Sequence, residues 1–125
     1  MSVGPEAPTL LVVDDEERIL SALRRALRRE GWRILATSDP LEAVRWLENE
    51  PVGAVLSDHK MRGMSGLELL EAAARLRPAA ARFLITGWPD AIPGERLAAL
   101  GLRALIPKPW EDATLKGLLR EALER

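Results

Sequence analysis

"LLVVDDEERI", residues 10–19, joins four apolar residues, Leu10 to Val13, directly to four acidic ones, Asp14 to Glu17. An unbroken apolar run is the pattern of a strand covered on both faces, and such strands belong to parallel sheets. The residues that follow set Ile19, Leu20, Leu23, Ala26 and Leu27 on one helical face within 16–30, with Gly31 as the stop. A buried strand that turns into an amphipathic helix is the opening half of a strand–helix–strand unit. Two aspartates at the end of that strand repel each other and are costly to desolvate unless something pairs with them. Either the acids favour the positive end of the helix, or they meet a cation.

The same alternation continues outward from this stretch. The first strand is taken as 9–14, and "WRILAT" (32–37) reads as the second. Asp39-Pro40 is an N-cap with Pro at the first helical position, opening a helix through Trp46 and Leu47. "GAVLSD" (53–58) is the third strand. Ser65 and Glu68 form a capping box for a helix with Leu67, Leu70 and Ala74 on one face. "RFLITG" (82–87) is the fourth strand, followed by a weak helix near 94–100 whose start is blurred by Pro93 and Gly94. "RALIP" (103–107) is the fifth strand, and the last helix, 111–124, carries Leu115, Leu118, Leu119, Ala122 and Leu123. Five strands alternating with five helices predict an α/β fold, a doubly wound parallel sheet with helices on both faces. A chain of 125 residues predicts one domain over 9–125, after a flexible lead-in over 1–8 marked by Gly4, Pro5 and Pro8.

Composition narrows the function classes. Hydrophobic residues at 47% favour a folded core over disorder. The formal net charge of -1 gives no global attraction to nucleic acid or to an anionic membrane. With no cysteine there is neither a disulfide framework nor a thiolate metal site. No apolar run approaches a membrane span, and "MSVGPEAPTL" lacks the basic and apolar regions of a signal peptide, so the expected location is cytoplasmic.

In an open parallel sheet the functional crevice lies beyond the carboxyl ends of the strands. There the sequence places Asp14 and Asp15, Asp58, Thr86, and Lys108-Pro109. Three carboxylates and one ammonium leave a formal charge of -2, which a divalent cation would neutralise. Oxygen ligands without His or Cys favour Mg²⁺, which takes one or two carboxylates, keeps waters and shares a phosphate oxygen. Gly87, after Thr86, leaves room for a phosphoryl group near the backbone, and Gly66 fits a tight turn after the third strand.

"VVDDEE", "LSDHKMRGMSG", "LITG" and "PKPW" together resemble the receiver domain of two-component response regulators, over about residues 9 to 124. The resemblance implies a flavodoxin-like strand order, 2-1-3-4-5. It implies that Asp58 is the phosphoacceptor, that Asp15 binds Mg²⁺ directly, and that Asp14 does so largely through water. The backbone carbonyl of Lys60 would complete the protein ligands. Thr86 would donate its hydroxyl to the phosphoryl group, and Lys108, typically before a cis proline, would pair with Asp58 and then with a phosphoryl oxygen. The implied partners are a sensor histidine kinase or phosphotransfer protein, and a downstream protein read through the fourth helix, fifth strand and fifth helix. Two positions depart from the pattern: Arg62 stands where Pro is usual, and Leu105 where the fifth strand usually has Tyr or Phe.

The leading expectation is a stand-alone receiver that switches protein contacts. A phosphorelay intermediate or a fragment of a larger regulator is the alternative. From another class, an Mg²⁺-dependent aspartyl-phosphate phosphohydrolase would need a D-x-D motif after the first strand, and the third strand's "DHK" lacks the second Asp. His59 reads as an exposed loop residue without a partner and is left out of the site. Trp32 and Trp46 read as core or boundary residues, and Arg24, Arg25, Arg28 and Arg29 as a solvated helical stripe.

Overall fold

The computed structural model describes residues 7–124. The strands are β1 (Thr9–Val13), β2 (Arg33–Thr37), β3 (Val52–Asp58), β4 (Ala81–Thr86) and β5 (Ala104–Pro107). The helices are α1 (Glu17–Leu27), α2 (Pro40–Asn49), α3 (Gly66–Leu76), α4 (Gly94–Ala99) and α5 (Asp112–Leu123). All strand pairs are parallel, in the order β2-β1-β3-β4-β5, as expected.

The alternation within β1 sorts its side chains onto two cores. Leu10 and Val12 join Ala54, Leu56, Phe83 and Ile85 under α1 and α5. Leu11 and Val13 join Val55 and Leu84 under α2 and α3. Neither face of the central strands meets water, which is why β1 reads as an unbroken apolar run. Phe83 is the largest side chain of the first core to be completely shielded from solvent. Trp32 is buried there too and donates its ring N–H to Glu124 at 2.9 Å, while Trp46 packs half-buried against the second core.

Several boundaries shift for physical reasons. The apolar spacing predicts a first helix over 16–30, but α1 spans Glu17–Leu27 and tightens into a 3₁₀ turn over Arg28–Glu30. Gly31 stops it with a left-handed φ of 83°. Asp39 caps α2 by accepting the Leu41 N–H, and Ser65 and Glu68 complete their capping box on α3. The buried face of α3 differs from the one expected: Leu69, Leu70 and Ala73 are fully buried, whereas Leu67 and Ala74 are only half-buried. A 3₁₀ turn at Pro89–Ala91, unforeseen in the sequence, precedes the six-residue α4. Of the expected lead-in, residues 1–6 lie outside the described residues, and the Pro8 carbonyl is already held by the Arg33 N–H at 2.9 Å.

Parallel register brings one end of every strand to a common level. Val13 pairs with Ser57, Asp58 with Ile85, and Thr86 with Pro107. Asp14 therefore follows directly beside Asp58, and Lys108 follows Pro107 with its N–H donating to the Thr86 carbonyl at 2.9 Å.

Candidate functional site

Asp14, Asp15 and Asp58 each offer a carboxylate oxygen, and these oxygens lie within 4.8 Å of one another. Asp14 is 1% exposed and Asp58 7%, so two of the three charges sit against the core. The Lys108 ammonium answers them. Its Nζ lies 2.8 Å from Asp58 Oδ1 and 3.7 Å from Asp14 Oδ2, the second being an ion pair too long for a hydrogen bond. The Lys108-Pro109 peptide is cis. Burial opposes the charge on Lys108, but the hydrogen bond to Asp58 and the attraction of Asp14, Asp58 and Glu16 outweigh it and raise its pKa.

Asp14 is the most perturbed acid. Its Oδ1 accepts the Glu16 N–H at 2.9 Å, while its buried Oδ2 has no hydrogen-bond partner. Burial pushes its pKa up to about 6; the Asp58 and Asp15 charges add to the rise, and the Glu16 N–H and Lys108 oppose it. A buried carboxylate oxygen without a donor, within an all-oxygen acidic trio, fits a hard divalent cation. Asp15 is half-buried, and Arg62 approaches it from outside, with the backbone N–H at 3.3 Å and Nε at 3.9 Å from Oδ2. Arg62 is almost wholly exposed, so this pair contributes little to stability.

The loop after β3 is held at both ends of His59. The His59 N–H donates to the Ile85 carbonyl at 3.0 Å, and the His59 carbonyl accepts the Gly66 N–H at 2.8 Å. Gly66 is the first residue of α3, packed so closely that a Cβ there would be driven into the Asp58 carbonyl oxygen. The sequence places Gly66 where a tight turn is expected. The left-handed glycine of this loop is instead Gly63, at φ 86°, and Gly66 serves close approach.

A cavity of about 290 Å³ opens among Asp58, His59, Thr86, Gly87, Trp88 and Lys108. A side chain at Gly87 would meet nothing within 4 Å, so this wall is open, as expected. Lys60 Nζ lies 4.8 Å from the Trp88 ring centroid, a cation–π pair at the mouth. Thr86 is buried, and its Oγ1 accepts the Trp88 N–H at 3.1 Å and meets His59 Nδ1 at 3.0 Å. The expectation that His59 is partnerless is therefore corrected. It is half-buried against Thr86, with its pKa lowered by burial and by Lys60, against the pull of Asp58.

The response regulator receiver domain family profile matches residues 10–120. Among curated proteins, the chain is 39% identical over 119 residues to the hydrogenase transcriptional regulatory protein HoxA of Cupriavidus necator and 38% identical to that of Bradyrhizobium diazoefficiens. Each match covers 93% of this chain and 24% of the relative, so the chain spans about a quarter of their length. Among solved structures, a CheY-like response regulator receiver domain protein from Methanospirillum hungatei JF-1 has a TM-score of 0.85 at 30% identity, covering 95% of both chains.

Proposed function

The chain belongs to the response regulator receiver domain family, and from that premise we propose that it is a phosphoacceptor switch with Asp58 as the acceptor. The observation that carries this reading is the Asp58 carboxylate held by Lys108 at 2.8 Å, beside an Asp14 oxygen that no donor reaches. The phosphoryl donor is the phosphohistidine of a sensor histidine kinase or phosphotransfer protein. An Asp58 oxygen attacks phosphorus, the new O–P bond forms as the N–P bond of the donor breaks, and the departing imidazole nitrogen keeps the electron pair and takes up a proton. Asp14, Asp15, Asp58 and the Lys60 backbone carbonyl would hold Mg²⁺, which when bound supplies positive charge to the phosphoryl oxygens.

The chain's own residues account for the rest. Lys108 is a compact point charge that pairs with Asp58 first and with a phosphoryl oxygen afterwards. Thr86, on the wall of the same cavity, donates its hydroxyl to another phosphoryl oxygen. These contacts favour one of two conformations, and a protein partner reads the shift on α4, β5 and α5. The reading is of a cytoplasmic signalling domain without direct contact to nucleic acid or membrane. No helix among the described residues is long and apolar enough to cross a membrane. The output is a separate protein or a domain joined to this one, as the length of the HoxA relatives suggests.

Intact-mass measurement after incubation with acetyl phosphate tests the reading. Wild type is expected to gain one phosphoryl group in the presence of Mg²⁺, and Asp58→Ala or removal of Mg²⁺ to abolish the gain. An Asp58→Ala protein that still gains the group would remove Asp58 from its assigned role.

The Lys60–Trp88 pair sets a second expectation. Stacked at the mouth of the cavity, ammonium and indole obstruct the water that would hydrolyse the acyl phosphate. Replacing both with alanine is expected to speed loss of the phosphoryl group severalfold, read by phosphate release over time. An unchanged rate would show that the pair does not guard the water path.

A further inference from the structure

We propose that His59 is a latch on Thr86: its Nδ1 accepts the Thr86 hydroxyl proton in the resting protein, and the bond breaks when a phosphoryl group on Asp58 claims that proton. The inference rests on the phosphoacceptor reading and adds to it a positioning residue.

A threonine hydroxyl has one proton to give and two lone pairs. Among the described residues, Thr86 Oγ1 has two hydrogen-bond partners, the Trp88 N–H at 3.1 Å and His59 Nδ1 at 3.0 Å. The Trp88 N–H can only donate, so it occupies a lone pair. Thr86 is 1% exposed, and a buried hydroxyl keeps its proton in a hydrogen bond. His59 Nδ1 is the partner that can take it, which requires the tautomer with hydrogen on Nε2. The same proton is the one Thr86 would offer to a phosphoryl oxygen, so the two bonds exclude each other.

The ring is well placed for this role. The His59 N–H to Ile85 and the Gly66 N–H to the His59 carbonyl fix the His59 backbone on both sides. Ile85 directly precedes Thr86, so both partners of the latch are anchored to the end of β4. Asp58 directly precedes His59, so addition of a phosphoryl group occurs one residue from the latch. Phosphorylation thus trades a His59 bond for a phosphoryl bond, and the latch taxes the active state.

Two measurements test the latch. The first is the ¹⁵N NMR spectrum of the His59 ring in the resting protein. It is expected to show Nδ1 as the unprotonated nitrogen, and a protonated Nδ1 would overturn the proposal. This readout needs no ligand, so it stands even if the phosphoacceptor reading fails. The second is the affinity for beryllium trifluoride with Mg²⁺, a non-covalent phosphoryl mimic. His59→Ala is expected to bind about threefold to tenfold more tightly than wild type, because one competing hydrogen bond is gone. His59→Asn, whose carbonyl oxygen falls close to the place of Nδ1, is expected to restore wild-type affinity, which loss of packing alone would not allow. In a Thr86→Ala background, His59→Ala is expected to have no effect on affinity. Weaker or unchanged binding by His59→Ala, while wild type binds, overturns the latch and leaves the phosphoacceptor reading intact. Failure of wild type to bind the mimic and to gain a phosphoryl group counts against the phosphoacceptor reading, and the ring spectrum then decides the latch alone.

Discussion

Asp14→Asn is expected to make the ion-free protein more stable at pH 8 by about 2 kcal/mol, while removing most of the stabilisation that Mg²⁺ confers. The Asp14 carboxyl has a pKa near 6 in the folded protein against 3.8 for the ordinary group. Its folded-state pKa is the higher one, so the native state binds the proton more tightly. The favourable contribution is complete below pH 3.8 and is lost as pH rises through about 6. Near and above neutral pH, the native state carries a charge that burial opposes, an effect of about 3 kcal/mol at most from the linkage relation. Asparagine keeps the Oδ1 acceptor for the Glu16 N–H and carries no charge. Urea denaturation of the ion-free proteins from pH 4 to 8 is expected to show a fall in wild-type stability that the variant lacks. In saturating Mg²⁺ the order is expected to invert, because a cation bound only by the folded state stabilises wild type. A variant no more stable than wild type without the ion would show that Asp14 is not held at an electrostatic cost.

Gly66→Ala is expected to lower stability by about 3 kcal/mol, the upper end of ordinary overpacking. The added methyl would be forced into the Asp58 carbonyl oxygen and come within 2.9 Å of both the Asp58 carbonyl carbon and Leu84 Cδ1. A backbone carbonyl at the end of a central strand cannot move aside as a flexible side chain can. Relief requires α3 to retreat or Asp58 to shift, and the second moves the acceptor away from Lys108. The variant is therefore expected to accept phosphoryl groups more slowly even where it is fully folded. Gly63→Ala is the contrasting case: it has open space but φ 86°, so it strains the loop without touching Asp58. Equal stabilities for Gly66→Ala and wild type would show that the helix end is free to yield.

The strand ends were legible because a parallel sheet leaves few places for polar groups. Asp58 and Thr86 end their strands, Asp14 and Lys108 directly follow theirs, and a parallel register carries all four to one end of the sheet whatever the helices do. The capping box at Ser65 and the Pro40 helix start were legible for a local reason, since both lie within one turn of chain. The boundary of α1 was less so, because the change from α-helix to 3₁₀ turn before Gly31 leaves the apolar spacing intact. The buried face of α3 was misread for a similar reason. Leu67, Leu69 and Leu70 follow one another so closely that periodicity admits two faces, and packing on β3 and β4 selects Leu69, Leu70 and Ala73.

The pairing of His59 with Thr86 had no local signal. The residues are 27 apart in sequence, and neither type announces the other. The strand register could have found it, since Asp58 pairs with Ile85 and so sets the next residue of each strand side by side. Gly66 hid its role for a related reason: the carbonyl it accommodates belongs to another element, and no turn pattern reports a close approach between a helix start and a strand end.

The assignment of Asp58 as phosphoacceptor is the claim on which the rest depends, and locating the acyl phosphate tests it most directly. Protein treated with acetyl phosphate and Mg²⁺ would be reduced with borohydride, which converts a phosphorylated aspartate to homoserine, and the peptides mapped by mass spectrometry. The account predicts homoserine at position 58 alone. Homoserine at Asp14 or Asp15 instead, or a phosphoryl group that resists reduction because it is not on a carboxylate, would contradict it.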